Sequence, residues 1–370
     1  SGTTYAVLSA KNEKAKIEIF DLWEKDKLLH RFKKMELATA ISFSSDAKSL
    51  FITTPNQLLC YDARSYEPRW SMEMPIAAKT LCASGNGYFL AASDGAKVVI
   101  INLENRQIRK SFDLDVKVND IGFSAANDLF AILTDDSSLS LYDTKSFLIS
   151  QSFENMGQAK ALAFHPNGKY VSVITDEGRI AIQNLLDTDQ CSYVDQEAKG
   201  ISFLKFIRDN FNITFLTYSS NTNLIYKYLN LDPNYTRLLK DELDERMGEW
   251  MKQMPGESLE EYNIRVNEET RLQQMKLFEE EIATRLAGDG QMEMASIALG
   301  NYNPESSMLA LNVGEMPTIY LNVPEEDVLS FSDAGNLQLL NTRYGLTDKD
   351  RFEMVYTEVY NKQTGKTYIF

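Results

Sequence analysis

Carboxylates recur at a fixed interval in the first half of the chain. Asp94, Asp135 and Asp176 are 41 residues apart, and Asp136 and Glu177 stand beside the last two. Each acidic position lies in a turn between two short strand-like runs. Acidic turns at one end of a repeated structure could attract a basic partner, hold a divalent cation or supply a glycosidase-like acid pair. Asp also favours turns because its side chain bonds its own backbone, which requires no function.

The other residue types that commonly carry chemistry are few and scattered. Cys60, Cys82 and Cys191 are an odd number at wide spacing, and His30 and His165 share no ligand spacing. The sequence contains no phosphate-cradling glycine loop followed by Lys and no Gly-x-Ser-x-Gly motif. We therefore predict that the protein has no catalytic residues, no metal site and no cofactor, and that it is not an enzyme.

The composition is typical of a folded protein with an acidic surface. The 370 residues are 44% hydrophobic, and 38 Lys and Arg against 53 Asp and Glu give a formal charge of -15. A negative field of this size repels phosphate, so a nucleic-acid partner is not expected. No run of apolar residues is long enough to predict a transmembrane segment.

A repeat in the first two thirds of the chain predicts the elements that carry the acidic turns. Five residue pairs end strand-like runs, and their second members lie 41, 40, 41 and 41 residues apart: Phe20-Asp21, Tyr61-Asp62, Ile101-Asn102, Tyr142-Asp143 and Gln183-Asn184. Each unit contains four short antiparallel strands, which is the pattern of a β-propeller blade. We predict an all-β propeller with six detectable four-stranded blades, and leave a seventh open, because stacking of neighbouring sheets buries both apolar faces of each one.

Two segments of this repeat resemble the WD40 family. Phe164-His165-Pro166-Asn167-Gly168-Lys169 is similar to the family's first turn, and Thr134 to Asp143 is similar to its second turn and third strand. The repeats are degenerate, since no Gly-His pair occurs, no Trp precedes an Asp, and only Asp136 clearly occupies the family's turn-Asp position. The resemblance covers the first two thirds of the chain and implies a propeller that binds proteins or peptides.

The period stops after Tyr235, and three regions are predicted on that basis. Residues 1–235 form the WD40-like propeller, residues 236–290 an acidic helical segment, and residues 291–370 a small α+β module whose strands could instead complete the propeller. Apolar residues at helical spacing form a stripe that packs inside the protein or serves partner binding or self-association. The stripe residues singled out as a helical interface are Met247, Trp250, Met251, Met254, Phe278 and Ile282.

A noncatalytic scaffold that binds proteins or peptides is the function that these observations favour. Its contact surfaces would be the C-terminal extension and the rim collar, which comprises Asp94, Asp135, Asp136, Asp176 and Glu177 and would suit a basic partner. Two alternatives stay open, namely a propeller hydrolase or lyase with channel-mouth carboxylates, and a structural component of the cell envelope. The composition favours a bacterial source, and we expect an exported or periplasmic protein whose signal peptide has been removed and whose native chain continues past Phe370.

Overall fold

A computed structural model divides the chain into two compact units, Ser1–Asp232 and Pro233–Phe370. The structure describes residues 4–370 except 12–13, 22–23, 25–26, 34, 36, 155, 157–158, 176–178, 195–200, 209–212, 220–221, 229–230 and 290–295. The two units are described separately below, since each has its own core.

The first unit is built from antiparallel sheets whose strands follow one another along the chain. The strands are β1 (Thr4–Lys11), β2 (Lys14–Asp21), β3 (Lys27–Arg31), β4 (Ala40–Phe43), β5 (Ser49–Thr53), β6 (Gln57–Asp62), β7 (Pro68–Glu73), β8 (Thr80–Ala83), β9 (Phe89–Ser93), β10 (Lys97–Asn102), β11 (Gln107–Asp113), β12 (Val118–Phe123), β13 (Leu129–Thr134), β14 (Leu139–Asp143), β15 (Ile149–Phe153), β16 (Ala159–Phe164), β17 (Tyr170–Thr175), β18 (Ile180–Asn184), β19 (Cys191–Val194), β20 (Ile201–Arg208), β21 (Ile213–Ser219) and β22 (Thr222–Tyr228). Strands β4–β7, β8–β11, β12–β15 and β16–β19 form four-stranded sheets, and β1–β3 and β20–β22 form sheets of three.

These sheets confirm the predicted propeller repeats, although two of the six have three described strands where four were expected. Strand β2 ends at Asp21, the position that ends the third strand of every complete repeat, so the three described strands of the first sheet correspond to the second, third and fourth strands of a repeat. Strand β20 contacts the innermost strand β16 of the preceding sheet. The three described strands of the sixth sheet therefore correspond to the first three strands of a repeat, and the next described element after β22 is a helix that begins at Tyr235.

The Asp or Asn at the end of each third strand begins the turn into the fourth strand. Oδ1 of Asp62 accepts hydrogen bonds from the backbone N–H groups of Arg64 and Ser65, at 2.8 and 2.9 Å. The same pair of turn bonds forms at Asn102 and Asn184, and Asp143 accepts the N–H and the hydroxyl of Ser146. Four residues after Asp62, Asn102 and Asp143 the backbone is left-handed, with φ of 60° at Tyr66, 58° at Arg106 and 54° at Phe147. The sequence period therefore follows from repeated turn chemistry.

Neighbouring sheets present equivalent turns to each other. The hydroxyl of Ser45, in the first turn of one sheet, donates to the carbonyl of Gly85 in the first turn of the next at 2.7 Å. One repeat further on, the N–H of Asn86 donates to Oδ1 of Asn127 at 3.1 Å. Adjacent sheets therefore have the same orientation, and turns of one kind lie at the same end of the unit.

Apolar side chains fill the spaces between neighbouring sheets. Phe130 on β13 is fully buried, and its ring centroid lies 6.4 Å from Phe112 on β11 of the preceding sheet and 4.9 Å from Phe123 on β12. Burial of apolar surface between sheets is the main source of stability in such a stack, at about 25 cal/mol per Å². The blades therefore support one another, as the uncovered faces of single sheets require.

The second unit consists of helices and two small sheets. Its helices are α1 (Tyr235–Trp250), α2 (Leu259–Arg265) and α3 (Glu268–Asp289), with short 3₁₀ helices at Glu325–Phe331 and Ala334–Asn336. One sheet contains β23 (Ile297–Asn303), β24 (Met308–Val313) and β25 (Ile319–Asn322), and the other contains β26 (Leu337–Leu346), β27 (Phe352–Asn361) and β28 (Lys366–Ile369). Both sheets are made wholly of strands from this unit.

The helices and the strands of the second unit share one hydrophobic core, whereas the sequence divides them at residue 290. Leu243 of α1 and Ile282 of α3 are buried in the same cluster as Leu311 of β24 and Val359 of β27. The apolar stripes of the helices therefore face the strands as well as each other. A helical segment and an α+β module are parts of a single folded unit.

A polar contact also joins the first helix to the last hairpin. Asp350, in the turn between β26 and β27, is 3% exposed, and its Oδ1 accepts the backbone N–H of Thr236 at 2.5 Å and the hydroxyl of the same residue at 2.6 Å. The amide groups in the first turn of a helix have no partner within the helix, and a carboxylate there satisfies them and favours the helix dipole. The beginning of α1 is thus completed by a residue more than a hundred positions later.

Candidate partner-binding surfaces

The described residues of the rim collar lie in turns between second and third strands. Asp94 follows β9, and Asp135 and Asp136 follow β13, so they lie at the same end of neighbouring sheets. Asp176 and Glu177 lie outside the described residues. The position of the described acids on one end is a property of the fold, and contact with a partner stays a prediction.

Asp94 and Asp136 hold their own turns together. Oδ1 of Asp94 accepts the backbone N–H groups of Ala96 and Lys97 at 2.9 and 2.8 Å. Oδ1 of Asp136 accepts the hydroxyl of Thr134 at 2.6 Å and the N–H of Ser138 at 3.2 Å, and the Thr134 hydrogen bond lowers the pKa of Asp136. These bonds account for Asp in both turns without a partner, and Asp136 keeps its negative charge at neutral pH.

Asp135 is held differently, by an innermost strand. Its Oδ1 accepts a hydrogen bond from Nδ2 of Asn119 at 3.0 Å and lies 4.0 Å from Nζ of Lys117. Asn119 is the extra residue at a β-bulge in β12, and its amide also donates to the carbonyl of Ala159 in the next sheet at 2.8 Å. The bulge turns this side chain toward the neighbouring blade, so the exposed carboxylate of Asp135 belongs to a network that crosses between sheets.

Asp120, beside the bulge, is a partly buried carboxylate that was not predicted from the sequence. Its two oxygens accept backbone N–H groups from Ile121 and, across the blade interface, from Leu162, each at 2.9 Å. Burial raises the pKa of Asp120 to about 6, and the two hydrogen bonds only partly oppose this effect. Oδ2 joins two blades and Oδ1 bonds within its own strand, which gives Asp120 a structural role.

A signal for Asp120 was present in the repeat. The residues that occupy its place in three other innermost strands are Ala40, Thr80 and Ala161, which are small and uncharged. An Asp at such a position therefore departs from the pattern of its own repeat. A comparison of the repeats position by position would have found it.

His165 is buried, although its place in the sequence indicates an exposed turn. Its imidazole is 1% exposed, Nδ1 contacts Oδ1 of Asn167, and the ring packs edge-on against Phe206 at 4.8 Å. Burial lowers the pKa of His165 to about 4, so the ring is neutral at physiological pH. In the equivalent turns of the preceding blades a Ser side chain bonds the following Asp or Asn, as Ser44 does with Asp46 at 2.6 Å. His165 therefore replaces a turn serine.

The helical interface residues lie in several environments within the second unit. Ile282 is fully buried in the core, and Met247 and Phe278 are partly buried and pack against it. Trp250 and Met251 are half-buried, and Met254 is 52% exposed. The stripe therefore serves mainly the interior, and its use in partner binding or self-association stays a prediction.

A shallow, open cleft of about 910 Å³ lies beside the stripe, along α1 and next to Phe278 of α3. This α1–α3 cleft is lined by Leu238, Asp241, Glu242, Glu245, Arg246, Glu249, Trp250 and Phe278. One end is fixed by Arg265, whose guanidinium lies over the Trp250 ring at 5.5 Å and donates to the Trp250 carbonyl. The same Arg265 pairs with Glu257 at 2.6 Å and lowers the pKa of that carboxyl to about 2. The end of α1 and the cleft floor are thus held in place by an ion pair.

Neither a metal site nor a membrane-spanning helix is found in the part of the chain that the structure describes. There, no three side chains among His, Cys, Asp and Glu come together in a group that could bind a metal ion. Among the same residues, no helix combines the length and the apolar composition needed to cross a bilayer.

Comparison with known proteins gives one family for part of the first unit. Residues 121–209 match the family model for the WD40 domain of anaphase-promoting complex subunit 4. These residues run from β12 to β20 and make up about a quarter of the chain. No curated protein matches the chain. The first unit is made of WD40-like propeller repeats, and domains of this kind are generally noncatalytic scaffolds for protein interaction.

Proposed function

We propose that the protein is a noncatalytic scaffold that binds a basic protein or peptide through the rim collar. The observation that supports this proposal is the row of acidic turns at one end of a stack of buried, mutually supporting sheets. Asp135 and Asp136 are exposed there, on turns that hydrogen bonds hold in one conformation. A surface that is already ordered loses little conformational entropy when a partner binds.

The hydrogen bonds of the collar leave acceptors for a partner. Within the described part of the chain, the turn bonds of Asp94 and Asp136 engage Oδ1, so that Oδ2 can accept from a Lys or Arg side chain. Charge-assisted hydrogen bonds of this kind are stronger than neutral ones, and the net charge of -15 speeds the approach of a basic partner.

The test is affinity capture from a lysate of the source organism with three forms of the full chain. The collar variant carries Asp94→Asn, Asp135→Asn and Asp136→Asn. Since Asn retains Oδ1 as an acceptor, the turns keep their hydrogen bonds and only the charges are lost. We expect proteins that wild type retains and the collar variant releases, with a preference for basic sequences.

A matched control removes the same number of charges at the opposite end of the sheets. Glu67 and Glu104 lie in turns between third and fourth strands, and Asp128 in a turn between first and second strands. The control variant therefore carries Glu67→Gln, Glu104→Gln and Asp128→Asn. It should capture the same proteins as wild type. Identical sets from all three forms would mean that the collar is not the contact surface.

A further inference from the structure

The α1–α3 cleft contains two parallel rows of side chains on α1. Asp241, Glu245 and Glu249 are four residues apart, so their carboxylates lie along one face of the helix. The row spans about 12 Å, since an α-helix rises 1.5 Å per residue. The adjacent row follows the same spacing, and one aromatic ring from α3 faces it: Leu238, Glu242, Arg246, Trp250 and, from α3, Phe278.

The carboxylates of the acidic row that pair within the protein do so at the surface, and Glu249 pairs with Lys252 through side chains that are 68% and 66% exposed. Asp241 lies 3.8 Å from Arg237, but both side chains are largely exposed, at 70% and 45%. Exposed ion pairs of this kind contribute little to stability, so a partner's cation can take over the carboxylate at small cost. Arg246 cannot neutralise the row, because it already pairs with Glu242 at 2.8 Å and with Glu281 at 3.1 Å.

The two ends of the second row and Phe278 of α3 supply apolar surface beside the charges, and the Glu242–Arg246 ion pair lies between the two ends. Leu238 is 47% exposed, and Trp250 and Phe278 are half-buried, so each has surface left to bury. A partner that covers these side chains gains about 25 cal/mol for each Å² of apolar area. The cleft therefore suits a ligand that has a row of cations beside apolar groups that reach Leu238 at one end and Trp250 and Phe278 at the other.

We propose that the α1–α3 cleft binds a basic amphipathic helix, with Lys or Arg facing Asp241, Glu245 and Glu249 and an apolar row on Leu238, Trp250 and Phe278. A helix presents such rows at the same four-residue spacing as α1, which is the helix-in-groove mode of peptide recognition. A second copy of the chain is a poor occupant, since its net charge is also -15. This inference extends the scaffold role to a second surface and names the partner class that it binds.

The probe is a synthetic helical peptide of about 18 residues with Lys on one face and Leu on the adjacent face. A second peptide has the same composition in scrambled order. Binding of each labelled peptide to the full chain is measured by fluorescence anisotropy at low and at moderate salt. We expect the ordered peptide to bind and the scrambled peptide to bind about tenfold more weakly, because only the ordered peptide aligns both rows.

Neutralising the acidic row tests the charged half of the inference. The variant with Asp241→Asn, Glu245→Gln and Glu249→Gln should bind the ordered peptide about tenfold more weakly, since three exposed ion pairs are lost. The difference should shrink as salt rises. Equal affinity of this variant and wild type would overturn the proposal.

Two further variants separate site-specific binding from general attraction to an acidic protein. Glu260→Gln, Glu268→Gln and Glu279→Gln remove three charges from the helices outside the cleft lining, and should leave the affinity within about twofold of wild type. Leu238→Gln, on an exposed position that tolerates a polar residue, should weaken binding about threefold with little dependence on salt. If the control variant loses as much affinity as the acidic-row variant, binding reflects net charge and the inference is wrong. None of these outcomes changes the capture result for the rim collar, so the two proposals fail separately.

Discussion

Replacement of Asp120 by Asn tests the junction between two blades through its dependence on pH. The wild-type carboxyl is buried between β12 and β16 and accepts N–H groups from Ile121 and Leu162. Burial raises its pKa in the folded protein from 3.8 to about 6. Between these two pH values the carboxyl of Asp120 holds a proton in the folded state that it has released in the unfolded state. The contribution of Asp120 to stability therefore falls as pH rises through this window and levels off above pH 6.

The size of the effect follows from the shift. A pKa difference between 3.8 and about 6 corresponds to about 3 kcal/mol of stability lost between pH 4 and pH 7. Asn at this position cannot titrate, and its single carbonyl oxygen accepts only one of the two N–H groups. At pH 4 the variant should therefore be less stable than wild type by about 1 kcal/mol. At pH 7 it should be as stable as wild type or more stable.

The assay is urea unfolding of dilute protein between pH 4 and pH 7 in a Trp250→Phe background, where tryptophan fluorescence reports on the first unit through Trp70. The thiol of Cys82 does not interfere, because burial raises its pKa to about 11. Asp136→Asn serves as a control whose pH dependence has the opposite sign. The pKa of Asp136 is lowered in the folded protein, so its contribution to stability is lost as pH falls. A stability difference between wild type and Asp120→Asn that is constant across pH would refute the buried, blade-bridging carboxylate.

Three further predictions concern the cores and the end of α1. Phe130→Ala should destabilise the first unit by about 3 to 5 kcal/mol, because a fully buried ring between two blades is lost; urea unfolding followed by fluorescence in the Trp250→Phe background checks this, and a change below about 1 kcal/mol would contradict the stacked blades. Ile282→Ala should destabilise the second unit by about 2 to 5 kcal/mol, seen as an earlier unfolding transition by Trp250 fluorescence in a variant that lacks the other two tryptophans. A loss confined to helix content, with strand signals unchanged, would argue against the shared core. Glu257→Gln should remove a contribution to folding stability that wild type has above pH 4.5 and loses as pH falls toward the lowered pKa of Glu257, about 2. Parallel pH profiles of Trp250 fluorescence for wild type and variant would contradict the ion pair with Arg265.

The sequence predicted the repeat well because one local rule sets it. An Asp or Asn at the end of each third strand forms the same turn bonds in successive blades, as Asp62 and Asn102 show. These bonds join residues two or three positions apart, so the period can be recognised from the local sequence. The first and sixth sheets are exceptions, because each has three strands in the described part of the chain while the turn pattern predicts four.

The candidate surfaces were predicted less completely, since they depend on contacts between distant residues. Nothing in the neighbourhood of Asp120 shows that Leu162 donates to it, and helical spacing alone does not reveal that Ile282 is enclosed by strands of the same unit. The acidic row of α1 was overlooked because charges around an apolar stripe are usually solvated. A bacterial, exported origin, self-association through the helices and a basic partner stay predictions.

The contact of Asp350 with the start of α1 affects the order in which the protein can fold during synthesis. The first unit contains only contacts among residues already made, so its blades can form while the ribosome is still adding the helices. The second unit must wait, because its first helix is completed by a carboxylate from the turn between β26 and β27. Until that hairpin emerges from the ribosome, the apolar faces of α1 and α3 are exposed to solvent. During this interval a chaperone can bind them, or a misfolded protein can aggregate with them.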